Sequence, residues 1–166
     1  MERCAECGFV YDPAVLERGT SRGAVEPVVQ ALRDAGVPAL RHRETPDTWS
    51  ALEYGSHLRD VLIAQRERVL LAVILDGPRF VPMHREERVA IECQNEQDPR
   101  AVSVELAHAA ALFDRTFALL DEEQRSRTGI YNYPEPQPRT VTWIAVHTLH
   151  ECHHHAGDVA RLLARS

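Results

Sequence analysis

The chain has 166 residues, 44% of them apolar, and carries a formal charge of -6 with 19 basic residues that are all arginine. That length supports one packed core without disulfide staples, while scattered arginines under a net negative charge exclude the basic stripe of a nucleic-acid-binding protein. No segment reaches the roughly 18 uninterrupted apolar residues of a membrane span, and Met1-Glu2-Arg3-Cys4 lacks a signal peptide's apolar segment, so a cytoplasmic protein with no membrane partner is expected.

Residues 1–19 contain Cys4-Ala5-Glu6-Cys7-Gly8 and Pro13 without a helical period, and read as an N-terminal arm carrying a CxxC knuckle. The body is expected over residues 20–166. Val25, Val28, Val29 and Leu32 recur at helical spacing and predict a first helix from Thr20 to Ala35, which Gly36 and Pro38 should stop. Ser50-Ala51-Leu52-Glu53 has capping-box spacing, and Leu58, Val61, Leu62, Val69, Leu70 and Val73 carry a second long helix to Asp76-Gly77-Pro78. A short helix is expected around Glu86 to Glu96. Asp98-Pro99 caps a third long helix with the apolar stripe Val102, Leu106, Ala109, Ala110, Phe113, Phe117 and Leu120. The proline-rich stretch from Gly129 to Pro138 predicts a loop across one end of the bundle, and a fourth long helix should run from Thr140 to near the C-terminus. No sustained period-two pattern predicts a sheet. Four helices with one apolar face each imply an all-α bundle.

Five of the nine histidines fall between His147 and His155 on the fourth helix. At about 100° per residue, His147, His150, Glu151, His154 and Asp158 share one stripe, while His153 and His155 are expected to point away from it. Histidines four apart present two imidazoles to one point, so His150 and His154 are candidate metal ligands. His57, interrupting the apolar run of the second helix, is the most suitable third ligand, although a lone helical histidine is more often a packed or solvated residue. His150-Glu151-Cys152-His153-His154 also satisfies the H-E-x-x-H pattern of zinc hydrolases. That reading is disfavoured because no histidine follows His155, alanine stands at position 160 where the longer motif needs histidine, and no edge strand is expected to align a peptide.

Cys4-x-x-Cys7-Gly is half of a zinc knuckle. A second zinc at Cys4 and Cys7 competes with a disordered or disulfide-bonded arm, while Cys93 and Cys152 read as small apolar fillers.

Three segments together resemble the DinB/YfiT-like superfamily of metal-dependent enzymes: Trp49-Ser50-Ala51-Leu52-Glu53-Tyr54-Gly55-Ser56-His57-Leu58-Arg59-Asp60-Val61, then Asn95-Glu96-Gln97-Asp98-Pro99, then Leu149-His150-Glu151-Cys152-His153-His154. The resemblance implies a four-helix up-down-down-up bundle, a homodimer, and a zinc or nickel ion held by His57, His150 and His154. Relatives include isomerases and transferases that use low-molecular-weight thiols such as mycothiol or bacillithiol. This chain is therefore expected to be a metal-dependent thiol transferase acting on a small-molecule thiol and an electrophile. The thiol-dependent isomerases can carry glutamate where His150 stands, so their activity does not carry over. On this reading the metal lowers the pKa of a bound thiol or water, Glu151 or His147 moves the proton, and Asp60 and Asp158 orient the ligand rings. A pocket bordered by Tyr54, Trp143, Tyr131 and Tyr133 is expected. The alternative is a non-catalytic metal-binding stress-response protein, its site closed by a fourth ligand such as His147.

Overall fold

Each long helix starts at a residue whose side chain satisfies an otherwise unpaired backbone N–H. In a computed structural model, which describes residues 2–132 and 135–165, the one-turn helix α1 (Val15–Arg18) precedes α2 (Ser21–Asp34), whose cap Thr20 accepts from Gly23 N. Helix α2 ends at Asp34 with Ala35 as its C-cap, as Gly36 and Pro38 predict, and Pro38 also starts a new element. It sits in the first turn of α3 (Val37–Arg41), where proline's missing N–H leaves no helical bond unmade. The predicted capping box closes at the start of α4 (Ala51–Ile74) between Ser50 and Glu53. The expected short helix resolves into α5 (Arg85–Ile91) and a 3-10 turn over Gln94–Glu96. Asp98 caps α6 (Pro99–Ala118), with Pro99 at its first position as predicted. A short α7 (Glu122–Ser126), strands β1 (Thr128–Tyr131) and β2 (Gln137–Thr140), and α8 (Val141–Leu163) complete the described chain.

The four long helices form the expected up-down-down-up bundle, in which α2 and α4 each pack against both α6 and α8. Leu32, Leu52, Leu58, Leu62, Leu106 and Ile144 fill its centre. A Cβ on Gly55 would lie 2.8 Å from Leu32 Cδ1, so the missing side chain lets α4 approach α2 closely. Among the described residues no helix is long and apolar enough to cross a membrane.

The expectation of no sheet is corrected by the antiparallel hairpin of β1 and β2, which pairs Thr128 with Thr140 and Tyr131 with Gln137. Four-residue strands, one of them containing Pro138, are too short to show a period-two pattern. Tertiary contacts hold them: the backbone of Phe80 donates to Ile130 O, and the Phe80 ring occupies the space a Cβ on Gly129 would need. Cys93 is also corrected. It is exposed and adopts a left-handed backbone at φ 47°, whereas Cys152 is the buried apolar filler expected.

Candidate metal centre

The first half of α4 is buried on nearly every side, and His57 lies within it, 5% exposed, its ring centroid 4.9 Å from that of Trp49. Its Nε2 is buried and makes no hydrogen bond among the described residues. Leaving an imidazole nitrogen dry and unpaired costs roughly 1–3 kcal/mol. The His57 ring packs toward α8. Donor atoms of His57, Glu151 and His155 lie within 4.8 Å of one another.

The flanking bonds already aim this cluster inward. His155 Nδ1 donates to Asp158 Oδ2 at 2.8 Å, and Arg161 holds the other Asp158 oxygen at 2.7 Å, which leaves His155 Nε2 turned toward Glu151 Oε2, 3.7 Å away. A histidine whose far nitrogen donates to a carboxylate is the usual arrangement of a metal-ligating imidazole. Tyr54 packs against the His155 ring at 5.2 Å and, with Trp49, closes the cluster on its apolar side.

The sequence-derived ligand set is thereby divided. His57 does not cluster with His150 and His154, which lie on a neighbouring face of α8 and group with Cys4 and Cys7 of the arm. The expectation that His155 turns away from the functional stripe is corrected as well. His155 follows Glu151 by four residues and precedes Asp158 by three, so it shares their side of the helix although it points about 100° from His154. Asp158 serves His155 rather than His154, from which it is 3.8 Å. Asp60 turns from His57 to bond Arg59 Nε at 2.9 Å and Gln94 Nε2 at 2.8 Å.

His147 sits beside the cluster, stacked on Trp143 with centroids 4.9 Å apart, edge-on to Tyr131, and with Nε2 3.9 Å from Glu151 Oε1. Tyr131 and Trp143 thus line the His147 side and Tyr54 the His57 side, while Tyr133 lies outside the described residues.

Electrostatics sort these groups into two states. Burial pushes His57 down to about 3, helped by the neighbouring His155 charge, and burial pushes His147 down to about 4, so both are neutral at pH 7. Burial opposes charge on Glu151 too, but hydrogen bonds from His150 and His155 hold its carboxylate far below the usual range. Burial likewise opposes charge on His155, yet Asp158 and Glu151 raise it to about 9. In the metal-free protein a proton on His155 therefore balances the buried Glu151 charge, at the position a cation would take.

The histidines held neutral by burial make the metal-free protein acid-sensitive. Their folded pKa values lie below the ordinary 6.5, so the unfolded chain binds the extra protons and stability falls as pH drops from about 6.5 to 4. The expected slope approaches about 1.4 kcal/mol per pH unit for each of the two rings. Thermal denaturation of chelator-treated protein across that range measures it, and a flat profile contradicts the assignment of both rings as buried and neutral.

An apolar cleft of about 440 Å³ opens elsewhere, between α1, α6 and α8, lined by Leu16, Phe113, Phe117, Ala145 and Leu149. It lies on the face of α8 opposite the histidines.

Comparison with known proteins places this chain in a family. No curated protein matches the chain in sequence. Among solved structures, YfiT from Bacillus subtilis, described as a probable metal-dependent hydrolase with an unusual four-helix bundle topology, superposes with a TM-score of 0.80 at 15% identity, covering 99% of this chain and 91% of that one. A mycothiol-dependent maleylpyruvate isomerase superposes with a TM-score of 0.68 at 16% identity, covering 92% of this chain and 65% of that one. The family model of the DinB superfamily matches residues 20–159, from the cap of α2 to one residue beyond Asp158, and the chain belongs to that superfamily.

Proposed function

We propose that this protein is a divalent-metal-dependent enzyme in which His57, Glu151 and His155 hold the ion and a low-molecular-weight thiol is the co-substrate. The observation that carries this reading is the buried, unpartnered His57 Nε2, set opposite a carboxylate and an imidazole that hydrogen bonds from outside the cluster already orient. Two imidazoles and one carboxylate suit zinc or nickel.

A bound ion would supply Lewis acidity, lowering the pKa of a thiol or water. The side chains of this chain do the rest. Asp158 and Arg161 fix the His155 ring, and His150 Nδ1, 3.2 Å from Glu151 Oε1, steadies the carboxylate. Trp49 and Tyr54 keep water from the His57 side. Glu151, which the sequence suggests as a proton carrier, serves as a ligand on this reading, and His147, held neutral by burial, packs beside it with Nε2 3.9 Å from Glu151 Oε1.

Three protein ligands leave a coordination position open, the feature that separates catalytic from structural zinc sites. The stress-protein alternative needs a fourth ligand, and its candidate, His147, clusters with His150 and Glu151 rather than with His57. The shared fold of a mycothiol-dependent isomerase supports thiol as the activated group, and that of a probable metal-dependent hydrolase supports water. Calorimetric titration of the zinc- or nickel-loaded protein with mycothiol, bacillithiol and glutathione discriminates between them. Binding of one thiol, abolished by His57→Ala, is expected; heat from none of them rejects the thiol co-substrate. We further propose a cytoplasmic homodimer burying Ile63, Leu71 and Ile74, which α4 leaves exposed. Sedimentation velocity tests the dimer.

A further inference from the structure

The N-terminal arm is tied down by more than apolar contact. Residues 2–11 fold back as a tight loop in which Cys4 N donates to Phe9 O at 2.9 Å, Gly8 N donates to Cys4 O at 3.0 Å, and Arg3 bridges to Val10. Gly8 closes the turn at φ +73°, a left-handed conformation that glycine adopts without strain. The loop brings both cysteine sulfurs to one side, and that side lies on α8.

We propose that Cys4, Cys7, His150 and His154 form a second, closed metal site that takes zinc and fastens the arm to α8. Donor atoms of all four residues lie within 4.8 Å of one another, although the two pairs are separated by most of the chain. Tetrahedral zinc with two thiolates and two imidazoles has ligand–ligand edges of roughly 3.3–3.8 Å, from Zn–S near 2.3 Å and Zn–N near 2.0–2.1 Å. Cys4 Sγ is already 3.8 Å from His154 Nδ1. A contraction of at most about 1.5 Å along any edge therefore completes the shell.

Each imidazole has its other nitrogen occupied, as a metal-ligating histidine requires. His154 Nε2 faces Glu6 Oε2 at 3.2 Å, which leaves Nδ1 for the ion. His150 Nδ1 is 2.8 Å from Tyr11 Oη and 3.2 Å from Glu151 Oε1. His150 Nε2 is buried without a hydrogen-bond partner among the described residues, on a side chain 9% exposed. This is a second orphaned nitrogen, distinct from that of His57, on a ring with a donor atom within 4.8 Å of both cysteine sulfurs. Two thiolates neutralise a divalent ion, and four protein ligands leave no position for substrate, so the site is structural.

The two centres share one contact: the His150 ring that would ligate the arm's ion also bonds Glu151 of the first cluster. An ion at the arm thus holds Tyr11 and His150 where they back the proposed catalytic carboxylate. The second site stands without the first, and the two are separable by variant.

The test is metal stoichiometry with cobalt spectroscopy on the untagged full chain. Wild type is expected to bind about two zinc ions and the Cys4→Ser/Cys7→Ser double variant about one. Cobalt-loaded wild type and His57→Ala should both show thiolate-to-cobalt charge transfer with tetrahedral d–d bands, absent from the double variant. Equal zinc content in wild type and double variant overturns the proposal. Should the double variant fail to fold, the cobalt spectrum of wild type decides: no thiolate charge transfer with both equivalents loaded overturns it equally. Loss of one zinc in His57→Ala with the thiolate band retained shows the arm site intact and the first site removed.

Discussion

His57→Ala is expected to remove one metal equivalent per chain and all metal-dependent activity while leaving the bundle folded. The ring contributes the only first-cluster donor outside α8, so without it the ion would rest on Glu151 and His155 from a single helix turn. Two ligands of one helix hold zinc or nickel weakly, and truncation also ends the burial of an unpaired nitrogen, which offsets part of the lost packing. At metal a thousandfold above its Kd, binding stabilises a fold by about 4 kcal/mol, or about 8–16 °C in a domain of this size. The comparison is the melting shift on adding zinc or nickel to wild type and variant. An undiminished shift, with elemental analysis unchanged, excludes α4 from the centre.

Arg59→Met is expected to destabilise the protein by about 3–5 kcal/mol without removing a metal ligand. Arg59 is 8% exposed and bonds Asp60 Oδ1 at 2.9 Å, Glu105 Oε2 at 2.7 Å, Glu92 Oε2 at 3.0 Å and Gln97 Oε1 at 2.9 Å. It joins α4 to α6 and to the turn before α6, where Asn95 also accepts from Ser50 Oγ at 2.7 Å. Methionine keeps much of the side chain's length but leaves Asp60 buried and facing Glu92 without its counter-charge. Burial already raises the Asp60 pKa, with Arg59 opposing that rise, so in the variant the folded-state value climbs further above 3.8. Stability is lost as pH rises from there toward the new folded value, and the deficit should be smaller at about pH 5 than at about pH 7. Urea denaturation at the two pH values measures both effects. A deficit under 1 kcal/mol shows that the network is dispensable.

This network accounts for part of the sequence motif that resembles the DinB/YfiT-like superfamily. In Trp49-Ser50-Ala51-Leu52-Glu53-Tyr54-Gly55-Ser56-His57-Leu58-Arg59-Asp60, only His57 enters the metal cluster through a donor atom. Ser50 and Glu53 cap the helix, with Arg43 Nε bonding Glu53 at 2.9 Å; Arg59 and Asp60 tie it to Glu92, Gln94 and Gln97; and Trp49 and Tyr54 wall the cluster. Most of the motif is scaffold that carries one candidate ligand.

The long helices were legible because each announces itself locally: an oxygen-bearing side chain or proline at its start and an apolar stripe at 3.6-residue spacing. The same holds for His57 as an anomaly inside an apolar run, for the concentration of imidazoles on α8, and for the paired cysteines near the start of the chain. The hairpin was not legible, since its strands depend on Phe80 from a distant segment. The partners of the α8 ligands were equally hidden. The residues from His150 to His155 contain two interleaved i,i+4 pairs, His150 with His154 and Glu151 with His155, offset by one residue and so by about 100° of rotation. Both pairs have metal-binding spacing, and nothing local states which one looks at α4. The rotation of α8 is set by Ile144, Ala145, Leu149, Cys152 and Val159 entering the core, and it turns Glu151 and His155 toward His57 while His150 and His154 face the arm. Residue types and spacing therefore determined that the last helix carries a set of candidate metal donors; packing of its apolar face decided which donors meet, because a helix can direct only one stripe at each neighbour.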